Sequence, residues 1–187
     1  QYMTYPVGAL LQDRLSESIL SSIIETAPVI MEDTSDYKSA ANFMWNCTMA
    51  LNGLIQKGVP TDWVIHMMGH ELTAYYGIDH ARTLAILTKS HYTYNLTSKQ
   101  AKLAQCAERV FGITEGDEKE KAEACIEAIE EFFLSLGIST TLSSYTDNFE
   151  GTAQKIAERF TERGWTAIGE YGKLTPHDVE HIVEMSY

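Results

Sequence analysis

Apolar residues recur at intervals of three and four along most of the chain. Within residues 8–30, Leu11, Leu15 and Ile19 follow this spacing, which places their side chains on one face of an α-helix. No run of alternating apolar and polar residues is long enough to indicate a β-strand. The spacing therefore predicts an all-α fold.

The sequence predicts about eight helices, which would pack as one bundle-like domain over residues 1–187. The expected helices span residues 8–30, 35–58, 60–77, 80–96, 98–113, 117–138, 148–165 and 175–187. Pro28 is expected to end or kink the first helix, and Gly58 to end the second. The expected N-caps are Ser35 or Asp36, Thr61, Asp79, Ser98 and Thr175, the last followed by Pro176.

Charge and composition exclude some classes of function. The net charge of −12 argues against nucleic acid and against an anionic membrane surface, because both require a basic face. No apolar run approaches the roughly 20 residues that a membrane span needs. The cysteines Cys47, Cys106 and Cys125 are scattered and do not suggest a disulfide framework, so we expect a cytoplasmic protein.

The stretch HMMGHELTAYYGIDH, residues 66–80, contains three of the six histidines. His66 and His70 lie about 40° apart on one helical face. Gly77 interrupts that helix, so His80 is expected in the first turn of the next helix, where it could approach His66 or His70. Imidazole is a common ligand of zinc and iron, and the stretch is therefore a candidate metal site.

Simpler interpretations of these histidines stay open. An H-x3-H pair often lies on a partly wet helix face, and Gly69 within the helix could serve packing as well as ligand approach. Glu71 and Asp79 are each adjacent to a histidine, so they are expected to point elsewhere or to act as caps. Two alternatives are a stand-alone helical metal-dependent hydrolase and a helical interaction module without a site.

His177 and His181 form a second pair with the same spacing near the end of the chain. Asp178 lies between them, and the pattern is typical of a solvated helix face. We expect these two histidines not to be ligands.

The segment GVPTDWVIHMMGHELTAYYGIDHARTLAI, residues 58–86, resembles the metal-binding region of the iron-containing (group III) alcohol dehydrogenases. The segments MALNGLIQKGVPTDW and AERVFGITEG resemble the butanol dehydrogenase and aldehyde reductase branch of that family. The resemblance extends over essentially the whole chain. It implies the helical C-terminal domain of a dehydroquinate synthase-like fold, belonging to an NAD(P)-dependent enzyme that interconverts a small alcohol and its aldehyde.

The resemblance also implies roles for the three histidines. His66 and His80 would bind one divalent metal, iron or zinc, while His70 would lie beside the nicotinamide of NAD(P)H and the substrate. The family's other two ligands, an Asp and a His, belong to a D-x3-H motif upstream of the residue that matches Gln1. We therefore expect a longer parent protein, a homodimer, whose N-terminal α/β dinucleotide-binding domain lies outside this chain, and we expect the fragment alone to be inactive.

Overall fold

Eight α-helices account for most of the chain, and the computed structural model describes all residues 1–187. The helices are α1 (Leu10–Glu32), α2 (Tyr37–Leu51), α3 (Val64–Tyr76), α4 (His80–Tyr94), α5 (Leu96–Cys106), α6 (Glu118–Ser135), α7 (Thr152–Glu162) and α8 (Pro176–Glu184). A five-residue π-helical segment, Ala107–Phe111, continues α5. The only strand-like pairing is an isolated bridge between Ile168 and Leu174, so the all-α prediction is confirmed.

Several helix ends agree with the local signals in the sequence. The carboxylate of Asp36 caps α2 by accepting a hydrogen bond from the backbone N–H of Ser39. Thr175 and Asp178 form a reciprocal capping box at the start of α8, with Pro176 in the first turn.

None of the helices is both long and apolar enough to cross a membrane.

Several predicted helix ends differ from the structure. The first helix continues through Pro28 to Glu32, so Pro28 does not end it. The second helix ends at Leu51, because the chain turns at Gly53, whose φ of 87° is left-handed. The third begins at Val64 instead of near Thr61, and Asp62 accepts the backbone N–H of Val64 at 2.7 Å. The fifth begins at Leu96, so Ser98 lies inside it and does not cap it.

The chain divides into two compact units. Unit 1 comprises Gln1–Thr61 and Leu96–Leu136, with α1, α2, α5 and α6. It contains a buried ion pair in which the Lys102 ammonium donates a hydrogen bond to the Asp13 carboxylate. The same ammonium lies over the rings of Tyr2 and Tyr5, at 4.3 and 3.9 Å from their centroids.

Unit 2 comprises Asp62–Asn95 and Gly137–Tyr187, with α3, α4, α7 and α8. Its apolar core draws on all four helices and includes Met68, Leu72, Ile86, Leu87, Ile156, Phe160, Val179 and Ile182. These residues follow the helical spacing of the sequence, so each helix buries one stripe. All six histidines of the chain lie in this unit.

Candidate metal centre

A tight turn between α3 and α4 positions the three histidines of residues 66–80. Gly77 ends α3 with a left-handed φ of 67°, and its N–H donates to the carbonyl of Thr73 at 2.9 Å. Asp79 is the N-cap residue of α4, and His80 is the first residue of that helix. The chain thus returns beside α3, as the positions of Gly77 and Asp79 indicate.

Gly69 allows α4 to approach α3 closely. A Cβ atom at this position would lie 2.8 Å from Thr83 Oγ1 and 3.2 Å from Leu84 Cδ2, both on α4. The first of these distances is shorter than real Cβ contacts, so a larger residue would force Thr83 on α4 to shift. The glycine within this helix therefore serves helix packing, one of the two explanations that the sequence left open.

The two helices bring all three imidazoles together. His66 Nδ1 and His80 Nε2 form a hydrogen bond of 3.0 Å, in which the tautomers of the two rings decide the donor. The His70 ring stacks on the His80 ring, with centroids 4.2 Å apart and planes within 2° of parallel. Trp63 packs its ring edge-on against His66 at 4.9 Å, a contact that the sequence analysis missed, although Trp63 precedes His66 by three positions on the helix.

The nitrogens of His66 and His80 fit a shared metal ion. With metal–nitrogen distances of about 2.0–2.1 Å, a separation of 3.0 Å corresponds to an angle of roughly 94° at the ion, within the range of common coordination geometries. His80 Nδ1 is buried and has no hydrogen-bond partner in the chain. No group of three histidine, cysteine, aspartate or glutamate residues in the chain is arranged to hold a metal.

The electrostatic environment favours neutral imidazoles at this site. Burial lowers the pKa of His66, and a positive charge on nearby His80 would lower it further. Burial also lowers the pKa of His80, with a second contribution from His70. A metal binds the neutral form of imidazole, so the lowered pKa values of both histidines favour the form that can act as a ligand.

The two carboxylates of the stretch point away from the histidine pair. Glu71 is buried and forms ion pairs with Arg159, at 3.0 Å, and with Arg163, both on α7. Asp79 is exposed and lies 3.5 Å from Arg82. Neither Glu71 nor Asp79 lies with His66 and His80 at the candidate metal site. This agrees with the prediction from the positions of the two carboxylates next to histidines in the sequence.

The whole chain, residues 1–187, matches the profile described as the Fe-containing alcohol dehydrogenase family, C-terminal. The chain belongs to the iron-containing alcohol dehydrogenase family. This confirms the resemblance drawn from residues 58–86 and identifies the chain as matching the family's C-terminal region.

Relatives within the iron-containing alcohol dehydrogenases include reductases and butanol dehydrogenases. The NADPH-dependent aldehyde reductase YqhD of Escherichia coli is 46% identical over 176 residues, covering 94% of this chain and 45% of the relative. The NADH-dependent butanol dehydrogenase A of Clostridium acetobutylicum is 34% identical, covering 100% of this chain and 48% of the relative. The chain thus spans about half the length of the curated relatives it matches.

Solved structures agree with the helical fold. The substrate- and cofactor-free form of the aldehyde reductase YqhD from E. coli superposes with a TM-score of 0.95 at 43% identity, covering 100% of this chain and 49% of that chain. The NADH-dependent butanol dehydrogenase A from Thermotoga maritima gives a TM-score of 0.86 at 24% identity over 94% of this chain and 46% of that chain, which supports the fold alone.

Proposed function

We propose that this chain is the metal-binding helical domain of an NAD(P)-dependent alcohol dehydrogenase or aldehyde reductase. The enzyme would transfer a hydride between the nicotinamide and an alcohol–aldehyde pair. The observation that carries the proposal is the 3.0 Å separation of His66 Nδ1 and His80 Nε2, in a chain that belongs to the iron-containing alcohol dehydrogenases. The aldehyde reductase and butanol dehydrogenases among its relatives support this substrate class.

In this proposal His66 and His80 hold one divalent ion, either iron or zinc. Imidazole ligands suit both metals, and catalytic sites of this kind usually include a carboxylate as well. The remaining ligands, an Asp and a His, would come from a segment outside residues 1–187. When bound, the metal supplies Lewis-acid polarisation of the substrate oxygen.

His70 would act on the substrate and the nicotinamide. Its ring is exposed and stacks in parallel on His80, so the orientation of one imidazole constrains that of the other. From this position His70 would bind the substrate hydroxyl by a hydrogen bond and exchange its proton, as general acid–base catalysis requires.

The hydride would come from NAD(P)H held by a separate α/β domain. Residues 1–187 contain no G-x-G-x-x-G segment and no alternation of strands and helices, which dinucleotide-binding domains use to hold the pyrophosphate. We therefore propose that the dinucleotide-binding domain belongs to another part of a longer protein. A homodimer in the cytoplasm is part of the same proposal, and the three free cysteines support that compartment.

The geometry disfavours a stand-alone metal-dependent hydrolase. Such an enzyme would use His70 as a third ligand together with His66 and His80. The His70 and His80 rings lie in parallel planes, with centroids 4.2 Å apart. Imidazole lone pairs lie in the ring plane, so two stacked rings do not direct their nitrogens at one ion.

The proposal is tested with the full-length protein that contains residues 1–187. Purified protein, stripped of metal and reloaded with Fe²⁺ or Zn²⁺, should oxidise NADPH or NADH in the presence of butanal, measured by the loss of nicotinamide absorbance. Residues 1–187 alone should show no turnover. An inactive metal-loaded protein, tested with both nicotinamides and a series of aldehydes, would contradict the proposal, as would enzyme-like turnover by the fragment.

A further inference from the structure

A second pair of histidines lies on the exposed face of α8. His177 and His181 are four residues apart, and their side chains are 74% and 48% exposed, as expected of a solvated face. Their rings nevertheless turn toward each other. The two Nε2 atoms form a hydrogen bond of 3.1 Å, with the donor set by the tautomers of the rings, and the ring centroids are 4.4 Å apart.

The separation of these two nitrogens suits a single ion. At metal–nitrogen distances of about 2.0–2.1 Å, 3.1 Å between His177 Nε2 and His181 Nε2 corresponds to an angle of roughly 100° at the metal. Both imidazoles project from successive turns of one helix, and their rotamers bring the two Nε2 atoms together. An ion bound by both rings would replace the hydrogen bond between these atoms.

Carboxylates flank the other nitrogen of each ring. Glu180 Oε2 lies 3.8 Å from His177 Nδ1, and Glu184 Oε2 lies 3.7 Å from His181 Nδ1. A carboxylate on the far side of a metal-binding imidazole orients the ring and strengthens the ligand. These distances exceed those of direct hydrogen bonds, so the carboxylates act here as nearby negative charges.

An acidic groove between α7 and α8 adjoins the histidine pair. Its volume is about 440 Å³, and its lining includes His177 together with the carboxylates of Glu158, Glu162 and Glu180. A concave surface lined with charges of one sign raises the local concentration of counter-ions. The groove therefore favours cations beside His177.

We propose that His177 and His181 form a site for one divalent ion of the kind that prefers imidazole, such as Cu²⁺, Ni²⁺ or Zn²⁺. The site is independent of His66 and His80 and of the dehydrogenase activity. Because both ligands belong to α8, a bound ion links successive turns of this nine-residue helix and stabilises it. Cu²⁺ should bind more tightly than either Ni²⁺ or Zn²⁺, and Mg²⁺ should not bind.

Calorimetric titration with Ni²⁺ tests the site in a chain that carries His66→Ala and His80→Ala. We expect one ion per chain and a weakening of more than about tenfold in either His177→Gln or His181→Gln, because a single remaining imidazole no longer chelates. Glutamine keeps a polar side chain of similar helix propensity on the exposed face. The two substitutions together should weaken binding little more than either alone.

Glu158→Gln is the matched control, since it removes one charge from the groove and leaves both imidazoles in place. It should change Ni²⁺ affinity much less than either histidine substitution. If the histidine pair instead bound two ions and each histidine variant lost one of them, the two imidazoles would be separate surface ligands. That result would overturn the proposal. Unchanged binding in both variants would overturn it as well.

Crystallography tests the same site without any substitution. Crystals of the unsubstituted chain soaked in Ni²⁺ should show an anomalous scattering peak within bonding distance of both His177 Nε2 and His181 Nε2. Anomalous peaks found only at other positions, with none between these two rings, would refute the site.

Discussion

Replacing Gly69 with alanine tests the close approach of α3 and α4. The added Cβ would meet Thr83 Oγ1 at 2.8 Å and Leu84 Cδ2 at 3.2 Å. Thr83 is fully buried, and its hydroxyl donates to the carbonyl of His80 at 2.7 Å, so it has little freedom to move away. Accommodating the methyl group therefore requires Thr83, in the first turn of α4, to shift.

Two opposing contributions set the size of the effect. Helix propensity alone favours alanine over glycine by about 1 kcal/mol. Overpacking of a close-packed interior usually costs about 1–3 kcal/mol. With a packing cost near the middle of that range, Gly69→Ala should lower the free energy of unfolding by about 1 kcal/mol.

Urea denaturation of a double-mutant cycle with Thr83 measures this cost. Thr83→Ala removes the hydroxyl that the new methyl group would meet, so Gly69→Ala should be less harmful in that background by about 1 kcal/mol. Thr83→Ser keeps the hydroxyl and should leave the penalty in place, which makes it the matched control. If Gly69→Ala stabilises the otherwise unchanged chain by about 1 kcal/mol, the full gain from helix propensity, the packing argument is refuted.

Further predictions concern the metal ligands and the buried ion pair of unit 1. In the full-length protein, His66→Ala and His80→Ala should each abolish metal content and activity, whereas His70→Ala should keep the metal and lower turnover about 10²–10⁴-fold. Metal analysis of the three purified variants, together with their kinetics, measures these effects. Loss of metal in His70→Ala with retention in His80→Ala would contradict the assignment. Burial is the largest single influence and opposes ionisation of Asp13, but the hydrogen bonds from Lys102, Gln105 and the Gly8 backbone, together with the Lys102 charge, outweigh it and lower the pKa of this carboxyl. The Asp13 carboxylate therefore contributes its full stabilisation at pH values above the pKa that Asp13 has in the unfolded chain. This stabilisation is lost as the pH falls through the lower pKa that Asp13 has in the folded chain. Asp13→Asn leaves the Lys102 ammonium buried without its anion and should cost about 3–5 kcal/mol at pH 7. The difference from the unsubstituted chain should shrink in acid, as urea denaturation across pH measures, and a cost independent of pH would contradict the ion-pair argument.

Local signals in the sequence predicted the helices well where caps and breakers are decisive. Asp36 and Thr175 begin α2 and α8 because a side-chain oxygen satisfies backbone N–H groups within the same few residues. The end of α2 was misjudged because two glycines compete, and the sequence does not reveal that the chain turns at Gly53 before it reaches Gly58. Pro28 lies within α1, where its lost hydrogen bond is tolerated in the folded chain.

The candidate metal centre was predictable only in part. Spacing places His66 and His70 on one face and His80 at the next helix start, since both follow from helix geometry. The 3.0 Å separation between His66 and His80 depends on how closely α3 and α4 pack, which no periodic pattern encodes. The convergence of His177 and His181 was missed because spacing alone does not give the side-chain rotamers that turn the two rings together.

The placement of all six histidines in unit 2 makes this unit separately observable in solution. Selective ¹⁵N labelling of histidine would produce imidazole signals from residues 62–95 and 137–187, while unit 1 stays silent. A titration with a diamagnetic ion such as Zn²⁺ could then be followed ring by ring in one spectrum. The order in which the rings respond would rank the two histidine pairs by affinity without any substitution.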